Sequence, residues 1–228
     1  MKYFGAIDQG TTSSRFIVFD ENGTIVNQHQ QELTQYLPNE VSVEHDPNEI
    51  WESVVNCINK VNKEFKIDQL DSIGITNQRE TTLAWRKSTE EPLHNALVWQ
   101  DTRTQGICDE LKGMAELEDA FFKTGLPIAT YFSLSKILWL MRNVPEVKKA
   151  HEDNDLCFGT VDSWLLFKLT GEYVIDVTNA SRTLMMDLKT LDWIEDIITM
   201  LNIPKDSIVI GRHGGKDTFD INFVKVLL

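Results

Sequence analysis

A polar segment spanning residues 8–15 lies between two short apolar stretches, residues 3–7 and 16–19, close to the start of the sequence. A second polar segment, residues 20–23, follows at once and contains Asp, Asn and Gly, which favour tight turns. Apolar stretches separated by such turns predict a strand, a tight turn, a strand, a turn and a third strand. The first turn therefore displays its polar side chains at the end of a strand.

The residue types in this first turn are those of a nucleotide-phosphate site. Backbone N–H groups in such a turn can form an anion-binding concavity, to which Thr11, Thr12 and Ser13 add hydroxyl groups. Arg15 adds a fixed positive charge, and Asp8 supplies a hard oxygen ligand for Mg²⁺. The alternative is a hydroxyl-rich hairpin with a surface arginine, but a carboxylate beside phosphates is explained only when a metal ion is bound.

A second polar group, residues 77–81, follows a predicted strand over residues 70–75. Polar side chains at the end of a strand can carry binding chemistry. Arg79 offers a rigid fork of donors and Glu80 offers acceptors, which together suit a neutral polyol whose hydroxyls both donate and accept hydrogen bonds. The alternative for this pair is a solvated Arg–Glu surface turn.

Two aromatic residues lie at positions from which a ring could reach a ligand. Trp99 ends a predicted strand over residues 96–99, so its ring could flank a bound molecule. Tyr131 precedes a predicted helix over residues 134–142, and its hydroxyl could reach the same molecule. The alternative for both is a structural ring, and for Tyr131 a buried ring with a satisfied hydroxyl.

The overall composition narrows the class of protein. The chain has 228 residues, of which 42% are hydrophobic, and a formal net charge of −13, which disfavours nonspecific nucleic-acid binding and anionic membranes. Its cysteines, Cys57, Cys108 and Cys157, are widely spaced, which favours a reducing compartment and no zinc site. The sequence has no membrane-length apolar run and no signal-peptide pattern, so we expect a cytoplasmic protein.

Residues 46–65 show the pattern of a capped amphipathic helix. Asp46 is a suitable N-cap before Pro47, and apolar residues recur at helical spacing up to Phe65. Beyond Phe65, short strands alternate with amphipathic segments. The predicted strands cover residues 70–75, 81–85, 96–99 and 156–158, and the later predicted helices cover residues 104–111, 117–124, 134–142, 144–150, 161–169 and 193–201.

The order of these elements predicts the fold class. Three strands joined by hairpins, then a helix, then a returning strand give an α/β protein with a mixed sheet and flanking helices. This order is typical of a ribonuclease-H-like lobe of the actin type, an architecture found in ATPases. We therefore expect Asp8 at the end of the first strand of such a lobe.

Taken together, these segments resemble the FGGY family of carbohydrate kinases, and most closely its glycerol-phosphorylating branch. The likeness covers residues 1–207, and the stretch over residues 131–143 fits one of the family's defining signatures. The matching stretches are residues 8–15, 43–47, 74–82, 95–103, 123–125, 131–143, 158–164 and 176–183.

The resemblance implies a reaction and a role for each candidate residue. The family transfers the γ-phosphoryl group of ATP to a hydroxyl of its substrate, which in this branch is a terminal hydroxyl of glycerol. Asp8 would help to hold Mg²⁺. The residues that would line the phosphate site are Thr11, Thr12, Ser13 and Arg15. The residues that would contact glycerol are Arg79, Glu80, Tyr131 and, through its ring, Trp99.

The resemblance does not extend over everything that the family contains. The family's catalytic base lies in a Gly-Asp-Gln segment that this sequence lacks, and the family's second lobe is absent. We expect a domain over residues 1–207 and a divergent tail over residues 208–228, which packs poorly and could form a stray edge strand or short helix at 224–228. We also expect little or no glycerol phosphorylation by this chain alone, with Asp162 as the other carboxylate that could serve as a base.

Two other functions remain open on the sequence. The first is a non-catalytic lobe that binds a polyol or a protein partner, either as a homo-oligomer or beside a subunit of a family kinase. The second is a kinase of another sugar, such as a pentose. The resemblance favours glycerol over a larger sugar, because residues 77–81 match the run that carries the substrate contacts in the glycerol branch.

Overall fold

The computed structural model describes residues 1–208. The expectations for residues 209–228, including poor packing and a strand or helix at 224–228, lie outside the described residues. Ile208, the last described residue, is 4% exposed and pairs with Phe158 in a parallel bridge. The described part of the chain therefore ends inside a hydrophobic core.

Strands and helices follow one another largely in the predicted order. Within residues 1–208 the strands are β1 (Tyr3–Gln9), β2 (Ser13–Asp20), β3 (Ile25–Glu32), β4 (Glu44–His45), β5 (Ser72–Asn77), β6 (Leu83–Arg86), β7 (Ala96–Leu97) and β8 (Leu156–Gly159). The helices are α1 (Pro47–Glu64), α2 (Gln105–Lys112), α3 (Glu118–Lys123), α4 (Ser133–Asn143), α5 (Pro145–Glu152), α6 (Val161–Thr170), α7 (Val177–Ala180) and α8 (Glu195–Met200). None of the helices in this part of the chain is both long and apolar enough to span a membrane.

The main sheet has the strand order β3-β2-β1-β5. Strand β1 pairs antiparallel with β2 and parallel with β5, and β2 pairs antiparallel with β3. The predicted mixed sheet is therefore confirmed. Because β1 and β5 are parallel, with Gln9 opposite Asn77, both strands end at the same edge of the sheet. The turn after β1 and the polar run after β5, which includes Glu80, consequently start side by side.

Helix α1 covers one face of this sheet. It begins as predicted, because the side chain of Asp46 accepts a hydrogen bond from the backbone N–H of Asn48 and Pro47 occupies the first turn. Its apolar stripe runs from Ile50 to Val61 and is buried. The sheet residues that share this core include Ile7, Phe16 and Val18. Burial of this apolar stripe stabilises the packing of α1 against the sheet.

A second hydrophobic core lies among the later helices, with buried residues from α2, α4, α5 and α8. Strand β6 joins the two cores, because Ala84 belongs to the second core and its neighbours Leu83 and Trp85 belong to the first. Trp85 also lies edge-on to Trp164 of α6, with ring centroids 5.4 Å apart. Strand β6 therefore packs against both cores.

The structure differs from the sequence prediction at several elements, and the short strand β4 was not predicted. The polar turn is shorter than residues 10–15, because antiparallel pairing continues to Ser14 and β2 begins at Ser13. The strand predicted over residues 96–99 ends at Leu97, which leaves the Trp99 ring outside it. Helix α7 was not predicted, because four residues are too few to show helical periodicity.

Candidate functional site

The turn over residues 10–12 is closed by a backbone hydrogen bond of 2.9 Å from the N–H of Gly10 to the carbonyl of Ser13. Thr12 is exposed, and Thr11 and Ser13 are partly exposed. The Ser13 hydroxyl accepts a hydrogen bond of 3.0 Å from Nε2 of Gln30 on β3. The turn thus presents three hydroxyl side chains at the end of β1, where they could hydrogen-bond an anion.

Asp8 and Arg15 form an ion pair across the β1–β2 hairpin, with Nη2 of Arg15 2.6 Å from Oδ2 of Asp8. The sequence predicts that Asp8 binds a metal ion and that Arg15 binds a phosphate. The antiparallel register sets Asp8 opposite Arg15, so the two side chains also contact each other. The side chains are 29% exposed for Asp8 and 45% exposed for Arg15. Since exposed ion pairs contribute little to stability, either partner can exchange the other for a ligand at low cost.

The backbone of Glu80 is held in an unusual conformation. Its φ angle is 63°, in the left-handed region that residues other than glycine adopt infrequently. The carbonyl of Glu80 accepts hydrogen bonds from the hydroxyls of Thr82 (3.0 Å) and Ser133 (3.2 Å), and the residue is 2% exposed. Strained backbone that the surroundings stabilise in this way is concentrated at ligand-binding sites.

The carboxylate of Glu80 pairs with an arginine from a distant part of the chain. Nε of Arg182 lies 2.5 Å from Oε1 of Glu80, and the side chains are 30% and 3% exposed respectively. The guanidinium carbon of Arg182 also lies 5.8 Å from the ring centre of Tyr131 and 5.0 Å from that of Phe132. Arg182 therefore joins Glu80 to the loop that carries Tyr131.

Trp99 and Tyr131 form an aromatic pair with ring centroids 5.5 Å apart. Nε1 of Trp99 donates a hydrogen bond of 3.0 Å to the hydroxyl of Thr11 in the turn after β1. Tyr131 is 37% exposed, so one side of the pair is open to a ligand. A continuous set of contacts thus runs from Glu80 through the two rings to the turn.

Arg79 is the exception among the residues that were predicted to contact a polyol. Its side chain is exposed and forms no hydrogen bond or ion pair within residues 1–208. It directly precedes Glu80 in the sequence, so its Cα lies beside the site. The structure therefore brings Glu80, Trp99 and Tyr131 together, and it fixes no direction for the Arg79 guanidinium.

Lys136 of α4 supports the loop that carries Tyr131. It is fully buried, and its Nζ donates hydrogen bonds to the carbonyls of Thr130 (2.5 Å), Tyr131 (2.9 Å) and Phe132 (3.4 Å). Burial lowers the pKa of Lys136 to about 8, an effect that the nearby Asp101 carboxylate opposes. One ammonium that binds three consecutive carbonyls fixes the backbone on both sides of Tyr131.

Comparison with known proteins identifies the lobe that carries this site. The model of the FGGY family of carbohydrate kinases, N-terminal domain, matches residues 3–212. The chain belongs to the FGGY family of carbohydrate kinases. It is similar to the glycerol kinase of Borreliella burgdorferi, with 47% identity over 209 residues, and to that of Arabidopsis thaliana, with 49% identity over 217 residues. Each match covers 90% of this chain and 42% of the relative, so the chain spans less than half the length of these FGGY kinases.

A solved structure confirms the predicted architecture. The crystal structure of Plasmodium falciparum glycerol kinase with ADP superposes with a TM-score of 0.86 at 39% sequence identity. The superposition covers 92% of this chain and 43% of that one. The α/β prediction of an actin-type, ribonuclease-H-like lobe with a mixed sheet and flanking helices is therefore correct for this FGGY chain.

Sequence reasoning did not single out Arg182 or Lys136 as site residues of this FGGY lobe. Arg182 lies 102 residues from Glu80, so no spacing rule connects the two. For Lys136 no local signal was available, because a lysine between apolar residues of an amphipathic helix ordinarily faces solvent. Both residues lie in stretches that resemble the FGGY family, 131–143 and 176–183.

Asp162, the carboxylate considered as an alternative base, is occupied by structural contacts. One carboxylate oxygen accepts a hydrogen bond from the Thr160 hydroxyl, and the other accepts one of 2.9 Å from the backbone N–H of Asp176. Burial raises the pKa of Asp162 to about 6. These contacts tie the start of α6 to the start of α7, so the Asp162 carboxylate stabilises the fold of this lobe.

Proposed function

We propose that this chain supplies the glycerol-binding surface and the phosphate-facing turn of a kinase that transfers the γ-phosphoryl group of ATP to a terminal hydroxyl of glycerol. One observation carries the proposal. The buried carboxylate of Glu80 is connected to the Trp99–Tyr131 ring pair through Arg182, and Trp99 in turn contacts Thr11 of the turn. Residues suited to a polyol and residues suited to a phosphate are therefore in contact.

Each polyol residue has a role that follows from its chemistry. The Glu80 carboxylate accepts hydrogen bonds from polyol hydroxyls, while Arg79 donates hydrogen bonds to polyol oxygens. The rings of Trp99 and Tyr131 pack against the carbon chain and exclude water on one side. The Tyr131 hydroxyl can both donate and accept a hydrogen bond. The predicted assignment of these residues to glycerol thus remains a proposal, which the contacts of Glu80, Trp99 and Tyr131 support.

The phosphate side of the site would use the turn and its flanking charges. Thr11, Thr12 and Ser13 would donate hydroxyl hydrogen bonds to phosphate oxygens, and Arg15 would add its positive charge. Asp8 would hold Mg²⁺, which neutralises negative charge on the phosphates when it is bound. Within residues 1–208 no cluster of three His, Cys, Asp or Glu side chains is arranged for a metal. A single carboxylate fits Mg²⁺ nonetheless, because this ion commonly takes one or two carboxylates plus phosphate oxygens and water.

We propose further that turnover needs groups beyond those of the described lobe. Of the carboxylates discussed, Glu80 pairs with Arg182, Asp8 pairs with Arg15, and Asp162 is held by hydrogen bonds. Each of these three already has an ionic or hydrogen-bonded partner, which it would have to release before it could take a proton from a substrate hydroxyl, as a general base must. The chain by itself should therefore bind glycerol with little phosphorylation.

The buried free cysteines support a cytoplasmic location for this kinase.

Calorimetric titration of the purified chain with glycerol and with xylulose tests the proposed function. We expect saturable binding of glycerol, weaker binding of xylulose and a loss of glycerol affinity in Glu80→Gln. Glu91→Gln, at an exposed position, is the matched control and should bind glycerol normally. Absence of saturable glycerol binding would contradict the proposal, and tighter binding of xylulose would favour a kinase of another sugar.

A turnover assay with labelled ATP tests the second part of the proposal. We expect little labelled product from the purified chain, with or without glycerol and Mg²⁺. Robust phosphorylation that disappears in Arg79→Ala would show that the chain holds a functional base after all. Little product together with saturable glycerol binding would also fit a non-catalytic binding lobe. Addition of a complementary FGGY fragment would then distinguish a kinase lobe from a binding lobe, because only the kinase lobe should regain turnover.

A further inference from the structure

Trp99 is tied to the turn after β1 by its side chain and by its backbone. Its Nε1 donates a hydrogen bond of 3.0 Å to the Thr11 hydroxyl. Its backbone N–H donates one of 3.3 Å to the hydroxyl of Thr81, which itself donates one of 2.9 Å to Oε1 of Gln78. Trp99 is therefore anchored at two points, its indole N–H and its backbone N–H.

The second anchor also leads back to the turn. Nε2 of Gln78 donates hydrogen bonds to Oε1 of Gln9 (3.2 Å) and to the carbonyl of Gly10 (3.4 Å). Gln9 and Thr81 are fully buried, and Gln78 is 7% exposed. Because a buried and connected polar network resists distortion, it holds the backbone of Trp99 at a fixed distance from the turn. The Thr11 hydrogen bond then decides how the Trp99 ring is oriented.

The direction of this hydrogen bond has a chemical consequence. An indole N–H can only donate, so the Thr11 hydroxyl must be the acceptor. The hydroxyl keeps its own proton, for which no acceptor lies among residues 1–208. Donation by Trp99 polarises this O–H group and strengthens it as a donor to an anion at the turn. The anion, the hydroxyl and the indole would then form one hydrogen-bonded chain.

We propose that Thr11 is a positioning residue that holds the Trp99 ring in place and couples anion binding at the turn to the polyol-facing surface of that ring. The inference rests on the proposed function in one respect, namely that the ring faces a polyol. An anion that accepts the Thr11 proton strengthens the indole hydrogen bond and restricts the ring. By thermodynamic reciprocity, a polyol that packs on the restricted ring must favour anion binding to the same extent.

Nuclear magnetic resonance of the ¹⁵N-tryptophan-labelled 228-residue chain tests this inference. The indole N–H signal of Trp99 is assigned by its loss in Trp99→Phe. In Thr11→Val, which removes the hydroxyl at nearly constant shape, this signal should move, and glycerol affinity should fall about threefold to tenfold. Thr11→Ser should restore both. Thr34→Val, at an exposed position, should leave both unchanged.

Addition of Mg·ADP provides the second readout. In the wild-type chain it should shift the Trp99 signal and tighten glycerol binding, and in Thr11→Val it should do neither. The inference would be overturned by either of two results. The Trp99 signal could keep its wild-type position in Thr11→Val, or it could fail to respond to Mg·ADP in the wild-type chain. The signals of buried Trp85 and Trp164 verify folding, and the wild-type titration decides the question if Thr11→Val unfolds.

The failure of the proposed function would look different. The Trp99 signal could change in Thr11→Val and respond to Mg·ADP in the wild-type chain, while glycerol has no effect. That result would uphold the positioning role of Thr11. It would at the same time reject glycerol as the ligand of the ring.

Discussion

Nε of Arg182 lies 2.5 Å from Oε1 of Glu80, although the two residues are 102 positions apart in the sequence. Glu80 follows β5 at the edge of the main sheet, whereas Arg182 follows α7. The Glu80 side chain is 3% exposed, so its charge depends on this arginine for compensation. In the proposed site, a polyol hydroxyl would therefore meet a carboxylate that Arg182 already orients.

Replacement of this arginine should destabilise the fold. Arg182→Met keeps an elongated side chain but leaves the buried carboxylate of Glu80 unpaired. We expect the free energy of unfolding to fall by about 2–4 kcal/mol, which is less than for a fully buried pair because Arg182 is partly exposed. Urea unfolding followed by tryptophan fluorescence measures the change.

Two further variants decide whether the loss comes from the unpaired charge. Glu80→Gln in the Arg182→Met background should recover most of the stability, because the uncompensated charge is then gone. Arg15→Met is the matched control, and its exposed ion pair with Asp8 should contribute less than about 1 kcal/mol. Equal losses in Arg182→Met and Arg15→Met would contradict this explanation.

Lys136→Met should loosen the loop that carries Tyr131. The carbonyls of residues 130–132 would lose their shared donor, so we expect faster amide hydrogen exchange in this loop and a stability loss of about 1–3 kcal/mol. Lys112→Met is the control, because Lys112 is 52% exposed and pairs only at the surface with Asp109. Unchanged exchange over residues 130–132 in Lys136→Met would show that the ammonium does not hold the loop.

His45 should make stability depend on acidic pH. It is 1% exposed, and burial lowers its pKa from 6.5 to about 4. Between these values the unfolded chain binds a proton at His45 that the folded chain excludes, so the contribution of His45 to stability falls as the pH drops from 6.5 towards 4, while the raised pKa of Asp162 acts in the opposite direction below pH 6. The loss should reach roughly 3 kcal/mol at its limit. Urea midpoints measured across this range should fall less steeply in His45→Gln.

A matched histidine gives the control for this pH profile. His151→Gln, at an exposed position on α5, should keep the wild-type slope. An identical slope in His45→Gln and in the wild-type chain would mean that other groups cause the acid sensitivity.

Local sequence patterns predicted the parts of the fold that local interactions determine. The hairpin of β1 and β2 follows from turn residues between apolar runs, and α1 begins at Asp46 because an N-cap and Pro47 mark its start. Glu80 was found because it follows a predicted strand, Trp99 because it ends one, and Tyr131 because it precedes a predicted helix. The pairing of Glu80 with Arg182 could not be found in this way, since it depends on how two distant loops pack.

The proposed glycerol site is tested most directly by the nuclear Overhauser effects between bound glycerol and the aromatic rings of the labelled chain. We predict contacts from glycerol protons to the ring protons of Trp99 and Tyr131 that weaken in Glu80→Gln. Trp139, whose ring is covered by the guanidinium of Arg103 at 4.7 Å, should show none. Contacts to Trp139 alone, or contacts to Trp99 and Tyr131 that are unaffected by Glu80→Gln, would contradict the site described above.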